Sequence, residues 1–137
     1  MPAKDRYHDA VKRALLKAGW RIEREQITFI LEGRHVQMDL KISDPRFPES
    51  APAYVEIKSF LSRSPIDDLS LAIGKYAMYR IILDELELNT TTLYLAVPLE
   101  AYQGILKERI GVLMRQRVGV VLLVVDVVQE LVKEWNP

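Results

Sequence analysis

Residues 35–60, HVQMDLKISDPRFPESAPAYVEIKSF, decide the fold. The first part alternates, which predicts a strand with Val36, Met38, Leu40 and Ile42 on one face and Gln37, Asp39 and Lys41 on the other. DPRFPESAP then carries three prolines in nine residues, a composition that makes a loop. The chain resumes as AYVEIKSF, a second strand with Val55 and Ile57 facing one way and Tyr54, Glu56 and Lys58 the other. The loop is too short for a crossover helix, so the two strands are expected side by side and antiparallel.

That pairing brings Asp39, Glu56 and Lys58 to one sheet face, because residues at even separations along a strand point the same way. Two converging carboxylates form a hard-oxygen site suited to Mg²⁺ or Mn²⁺, and a lysine beside them adds positive charge. Such a set serves phosphodiester hydrolysis, in which the metal polarises the phosphate and activates a water while the ammonium stabilises charge at phosphorus. The bland alternative is a solvated Glu-x-Lys pair contributing roughly 0 to 1 kcal/mol.

Upstream, DRYHDAVKRALLKA (5–18) spaces His8, Val11, Leu15 and Ala18 as one face of an amphipathic helix that Gly19 stops. WRIEREQITFIL supplies one strand or two short pieces, turning at Gly33. Downstream, PIDDLSLAIGKYAMYRIILDEL (65–86) carries a helical stripe of Leu69, Ala72, Ile73, Tyr76, Leu83 and Leu86. Pro65 suits its first turn, and Asp67 and Asp68 suit its dipole. TTTLYLAV reads as a strand closed by Pro98, and LEAYQGILKERIGVLMRQRV as a helix weakened by Gly104 and Gly111. GVVLLVVDVV is apolar on both faces, as a central covered strand is, and QELVKEW as a short helix or extended tail. The expected fold is α/β (α+β): a single domain over residues 1–137, a mixed sheet flanked by helices, in the order α-β-β-β-α-β-α-β.

Lys+Arg and Asp+Glu balance at 19 each, so no global field draws the protein onto nucleic acid or acidic lipid. The absence of cysteine excludes disulfides and thiolate metal sites. The polar opening MPAKDRYHDA is unlike a signal peptide, and the apolar run VGVVLLVV is too short to span a bilayer, so a soluble cytoplasmic protein without membrane contact is expected.

Other residues carry local alternatives. Asp5 and His8 on the first helix would support the metal site, or serve as helix cap and packed histidine. Lys12, Arg13 and Lys17 form a basic segment that would hold a DNA backbone, as would Arg80, or else a solvated face. Tyr76 and Tyr79 would contact nucleic acid or simply pack in the core. Gly74 is expected to allow close packing of the long helix on the sheet.

Taken together, KDRYHDAVKRALLKAGW (4–20), Asp39-Leu40, VEIKSF (55–60), DLSLAIGKYAMYR (68–80), LYLAVP (93–98), Asp126 and Trp135 resemble the XisH family. These are the fdxN element excision controlling factors of cyanobacteria. The core resembles the PD-(D/E)XK nucleases. The resemblance implies a restriction-endonuclease-like fold and a part in DNA element excision during heterocyst differentiation, beside a recombinase and an XisI-type companion. By the nuclease pattern, Asp39, Glu56 and the Ile57 carbonyl would ligate Mg²⁺ or Mn²⁺, and Lys58 would serve the water. Lys75 and Tyr76 would support the site, although Lys75 stands where glutamine is expected. Three function classes stay open: a Mg²⁺-dependent DNA endonuclease, a non-catalytic DNA- or protein-binding controlling factor, and a nuclease-type effector restrained by XisI. A homodimer is compatible with each.

Overall fold

In a computed structural model describing residues 4–88 and 90–136, the chain opens with helix α1 (His8–Lys17). Its buried face is His8, Val11, Ala14 and Leu15, and Gly19 at φ +91° follows its end. That left-handed conformation costs glycine little and lets the chain leave the helix. Strands β1 (Arg21–Leu31), β2 (Arg34–Ser43) and β3 (Ala53–Ile57) then form an antiparallel meander. Helix α2 (Pro65–Glu85) crosses to β4 (Thr92–Pro98), which lies parallel to β3. The segment after β4 crosses to β5 (Val121–Asp126), parallel to β4. Strand β6 (Leu131–Trp135) closes a six-stranded mixed sheet of order β1-β2-β3-β4-β5-β6. No helix among the described residues is long and apolar enough to cross a membrane.

The sheet has a core on each side. On one, α1 packs Val11, Ala14 and Leu15 against Leu40, Ile42, Val55, Ile57, Ala96, Leu123 and Val125. On the other, the α2 stripe of Leu69, Ala72, Ile73, Tyr76 and Leu83 meets Tyr54, Leu93, Leu95, Leu122 and Val124. β5 feeds both cores with alternate residues, which is why its sequence is apolar throughout. Ser64 accepts the Asp67 N–H at 3.2 Å, and Pro65 occupies the first turn of α2, where its missing N–H costs nothing.

Four expectations are corrected. Of the two alternatives for QELVKEW the extended one holds, but as a paired strand and not a tail: the Asp126 carboxylate accepts the Val128 and Gln129 N–H groups at 3.0 Å, and the turn feeds β6 back along β5. The single helix expected after β4 is three pieces: α3 (Leu99–Gln103), a 3₁₀ turn (Ile105–Lys107) and α4 (Arg109–Val118). Gly104, at φ −99° and ψ −114°, breaks it. A Cβ at Gly111 would lie 2.1 Å from the Ile105 carbonyl oxygen, so only glycine lets α4 sit against that turn. Gly74, by contrast, is exposed, with no atom within 4 Å of where its Cβ would stand. It therefore makes no close contact with the sheet.

The fourth concerns β2. Leu40 and Ile42 join the α1 core, whereas Met38 and Val36 pack into the α2 core. β3 runs only to Ile57, so the β1–β2 hairpin continues past it and turns its distal half over α2, swapping the apolar face between residues 40 and 38. Phe29 on that half meets Tyr54 edge-on, with ring centroids 5.4 Å apart.

Candidate functional site

Asp39 lies at this change of face. β2 and β3 pair Leu40 with Val55, and the same antiparallel register carried one residue further sets Asp39 opposite Glu56. Both line a cavity of about 450 Å³ with Asp5, Gln26, Lys58, Lys75 and Tyr79. The Ile57 N–H donates to Asp39 Oδ2 at 2.7 Å, which fixes the carboxylate against β3.

Glu56 is 7% exposed and its Oε2 is buried without a hydrogen-bond partner. Burial, followed by the neighbouring Asp39 charge, pushes its carboxyl up to about 9, against the opposing pull of Lys75. Asp39 is also raised by burial, an effect the Ile57 N–H offsets. The Asp39 charge opposes ionisation of Glu56, and the Ile57 N–H favours charge on Asp39, so the pair holds its proton on Glu56 when nothing else neutralises it. Burial raises the nearby Tyr79 hydroxyl as well, reinforced by the Glu56 and Asp39 charges.

These residues fit a divalent cation in a specific sense. Among the described residues no three acidic or histidine side chains form a metal cluster. An ion here would take Asp39 and the orphaned Glu56 oxygen, with the Ile57 carbonyl as the third protein oxygen the nuclease pattern offers. A site with few protein ligands and several waters is the kind Mg²⁺ accepts.

Lys58 lies at the cavity, its Nζ 3.7 Å from Asp68 Oδ1. Asp68, 2% exposed, also accepts the Ser62 N–H at 3.1 Å. Asp68 thus anchors the ammonium, a role beyond the helix-dipole one its place in the first turn of α2 suggests. Its partners come from the loop before the helix, so only a three-dimensional contact reveals it.

The remaining candidates divide. Asp5 lines the cavity, but its carboxylate accepts the Tyr7 N–H at 2.9 Å and the Ser59 N–H at 3.0 Å, tying the start of α1 to the chain after β3. His8 is buried, and its Nε2–H donates to Glu25 Oε1 at 2.9 Å; Lys12 reaches Glu25 Oε2 at 2.7 Å. Those bonds, Lys12 first and then His8, hold the Glu25 carboxyl down at about 2. Lys75 lines the cavity from α2, but Tyr76 lies in the core: its hydroxyl donates to the Leu93 carbonyl at 2.7 Å and accepts the Val121 N–H at 3.2 Å.

The basic candidates are engaged within the chain. Besides Lys12 with Glu25, Arg13 pairs with Glu130 at 2.6 Å, and Lys17 donates to the Gln129 carbonyl at 3.1 Å. Arg80 donates to the Thr91 carbonyl at 2.8 Å and the Leu88 carbonyl at 3.3 Å, which holds the turn after α2.

Residues 1–133 match the family model described as XisH protein. The crystal structure of an XisH family protein from Nostoc punctiforme PCC 73102 superposes with a TM-score of 0.86 at 31% identity, covering 96% of this chain and 98% of that one. An fdxN element excision controlling factor protein from Anabaena variabilis gives a TM-score of 0.85 with the same identity and coverage. No curated protein matches. With the family model spanning nearly the whole chain and both solved structures sharing its fold end to end, the chain belongs to the XisH family.

Proposed function

We propose that this protein is a controlling factor in the excision of an fdxN-type DNA element during heterocyst differentiation, and that its acid pair is a divalent-metal site for phosphodiester hydrolysis. The excision role is supported by the description of the Anabaena variabilis relative. The chemistry is supported by one observation above the rest: Asp39 and a buried, unpartnered Glu56 oxygen face each other across adjacent strands at a cavity that also holds Lys58.

In this reading the restriction-endonuclease-like sheet serves as a frame. The Ile57 N–H orients Asp39, and Asp39, Glu56 and the Ile57 carbonyl would hold Mg²⁺ or Mn²⁺. A metal bound there would polarise the phosphate and lower the pKa of a coordinated water. Asp68 keeps the Lys58 ammonium beside the cavity, where it stabilises negative charge gathering on the phosphate oxygens. The test pairs Mn²⁺ calorimetry with nicking of supercoiled plasmid. Asp39→Ala and Glu56→Ala should lose both, and Lys58→Ala should keep metal binding and lose nicking. Metal-independent nicking, or none by the wild type on any DNA form, counts against hydrolysis.

A second reading keeps the controlling role without cleavage. It is favoured by the internal engagement of Lys12, Arg13, Lys17 and Arg80, which leaves those side chains poorly placed to neutralise a DNA backbone. A protein partner such as an XisI-type companion then carries the interaction. Under this reading Asp39→Ala and Glu56→Ala leave partner capture intact.

A further inference from the structure

Gln26 is a residue that neither the acid pair nor the basic segment accounts for. It lies within β1 at φ +53°, a left-handed conformation that a side-chain-bearing residue adopts in a strand only at a cost. The β1–β2 register pairs Glu25 with Leu40 and Ile27 with Met38, so Gln26 stands across from Asp39. A change of face explains the backbone: Glu25 lies on the α1 side, bonded to His8 and Lys12, whereas Ile27, two residues on, belongs with Phe29 to the α2 core. It does not explain the side chain. The Gln26 Nε2 is buried with no hydrogen-bond partner, and the residue lines the same cavity as Asp39, Glu56 and Lys58.

A buried amide donor without an acceptor destabilises the fold, and an apolar side chain of similar size would avoid that penalty. An acceptor that enters the cavity would satisfy that donor. Asp5, Asp39 and Glu56 line the cavity beside Lys58 and Lys75, so with a divalent cation on the acid pair the balance turns positive and the entering group is an anion rich in acceptor oxygens. We propose that Gln26 is a substrate-binding residue whose carboxamide donates to a non-bridging phosphate oxygen of the ester held at the acid pair. This rests on the phosphodiester reading of the same site.

The test measures two ligands separately by calorimetry: Mn²⁺ alone, and thymidine 3′,5′-bisphosphate in Ca²⁺ buffer. Gln26→Met keeps the side-chain length and removes the donor. Gln26→Gly also removes the donor but accepts the left-handed backbone freely, so a folded variant is available if methionine packs badly. In both, bisphosphate affinity is expected to fall about tenfold or more, the loss of a hydrogen bond to a charged group, with Mn²⁺ affinity within about twofold of wild type. Unchanged bisphosphate affinity in both variants overturns the assignment while leaving the metal site standing. Parallel loss of Mn²⁺ affinity also overturns it, because Gln26 would then act through the acid pair. If wild-type protein binds neither ligand, the phosphodiester reading itself fails, and the assignment with it.

Discussion

Replacing Glu56 by glutamine should stabilise the metal-free protein, and by an amount that depends on pH. In the folded chain burial and Asp39 hold the Glu56 carboxyl neutral up to about 9, whereas an unfolded chain ionises it near 4.5. A carboxyl raised in this way contributes its full stability below the unfolded value and loses it as pH climbs through the folded one. Each unit in that window costs about 1.4 kcal/mol, hence about 3 kcal/mol at pH 7 and about 6 kcal/mol near pH 9. A glutamine amide has nearly the shape of the protonated acid and never ionises. Urea unfolding in EDTA should therefore show the variant level with wild type near pH 4.5. By pH 7 it should lead by about 3 kcal/mol, or roughly 10 °C in melting temperature for a chain of this size. Adding Mg²⁺ should narrow the gap by stabilising only the wild type. A stability difference that stays flat from pH 5 to 9, or a glutamine variant less stable at pH 9, refutes the shared-proton account.

Two glycines make opposite predictions. Gly74→Ala, exposed and with open space at its Cβ, should raise stability by about 1 kcal/mol in urea titrations. Gly111→Ala drives a Cβ to 2.1 Å from the Ile105 carbonyl oxygen and should lower it by about 3 kcal/mol. The Glu25 carboxyl is held down at about 2, so its contribution is present above pH 4.5 and lost as pH falls toward 2. With a third of its side chain exposed, Glu25→Gln should cost only about 1 kcal/mol at pH 7, and thermal melts at pH 2 should no longer distinguish it from wild type.

Much of the site was legible because strand periodicity is so restrictive. Once Asp39 and Glu56 belong to neighbouring strands, only two relative orientations exist, and the Pro-rich loop made neighbours of those strands. The same alternation misled at Met38, because it cannot report where a short neighbour ends and lets a hairpin bend. Asp68 and Gln26 were illegible for a related reason. An aspartate in a helix's first turn already has an explanation, and neither a left-handed φ nor an amide left without a partner leaves a trace in residue order. β6 was obscured by the polar Lys133 and Glu134, whose place in a strand depends on the Asp126 turn and on β5 having a free edge. Glycine's meaning was equally positional: Gly111 is required by a carbonyl six residues earlier, while Gly74 faces open space.

The most direct test of the proposed metal site is anomalous diffraction from a crystal soaked in Mn²⁺. The account predicts one strong peak at roughly 2.1–2.2 Å from a carboxylate oxygen of both Asp39 and Glu56, with water completing the shell. A crystal that takes up Mn²⁺ elsewhere, or none at all, with Glu56 still protonated against Asp39, would contradict it.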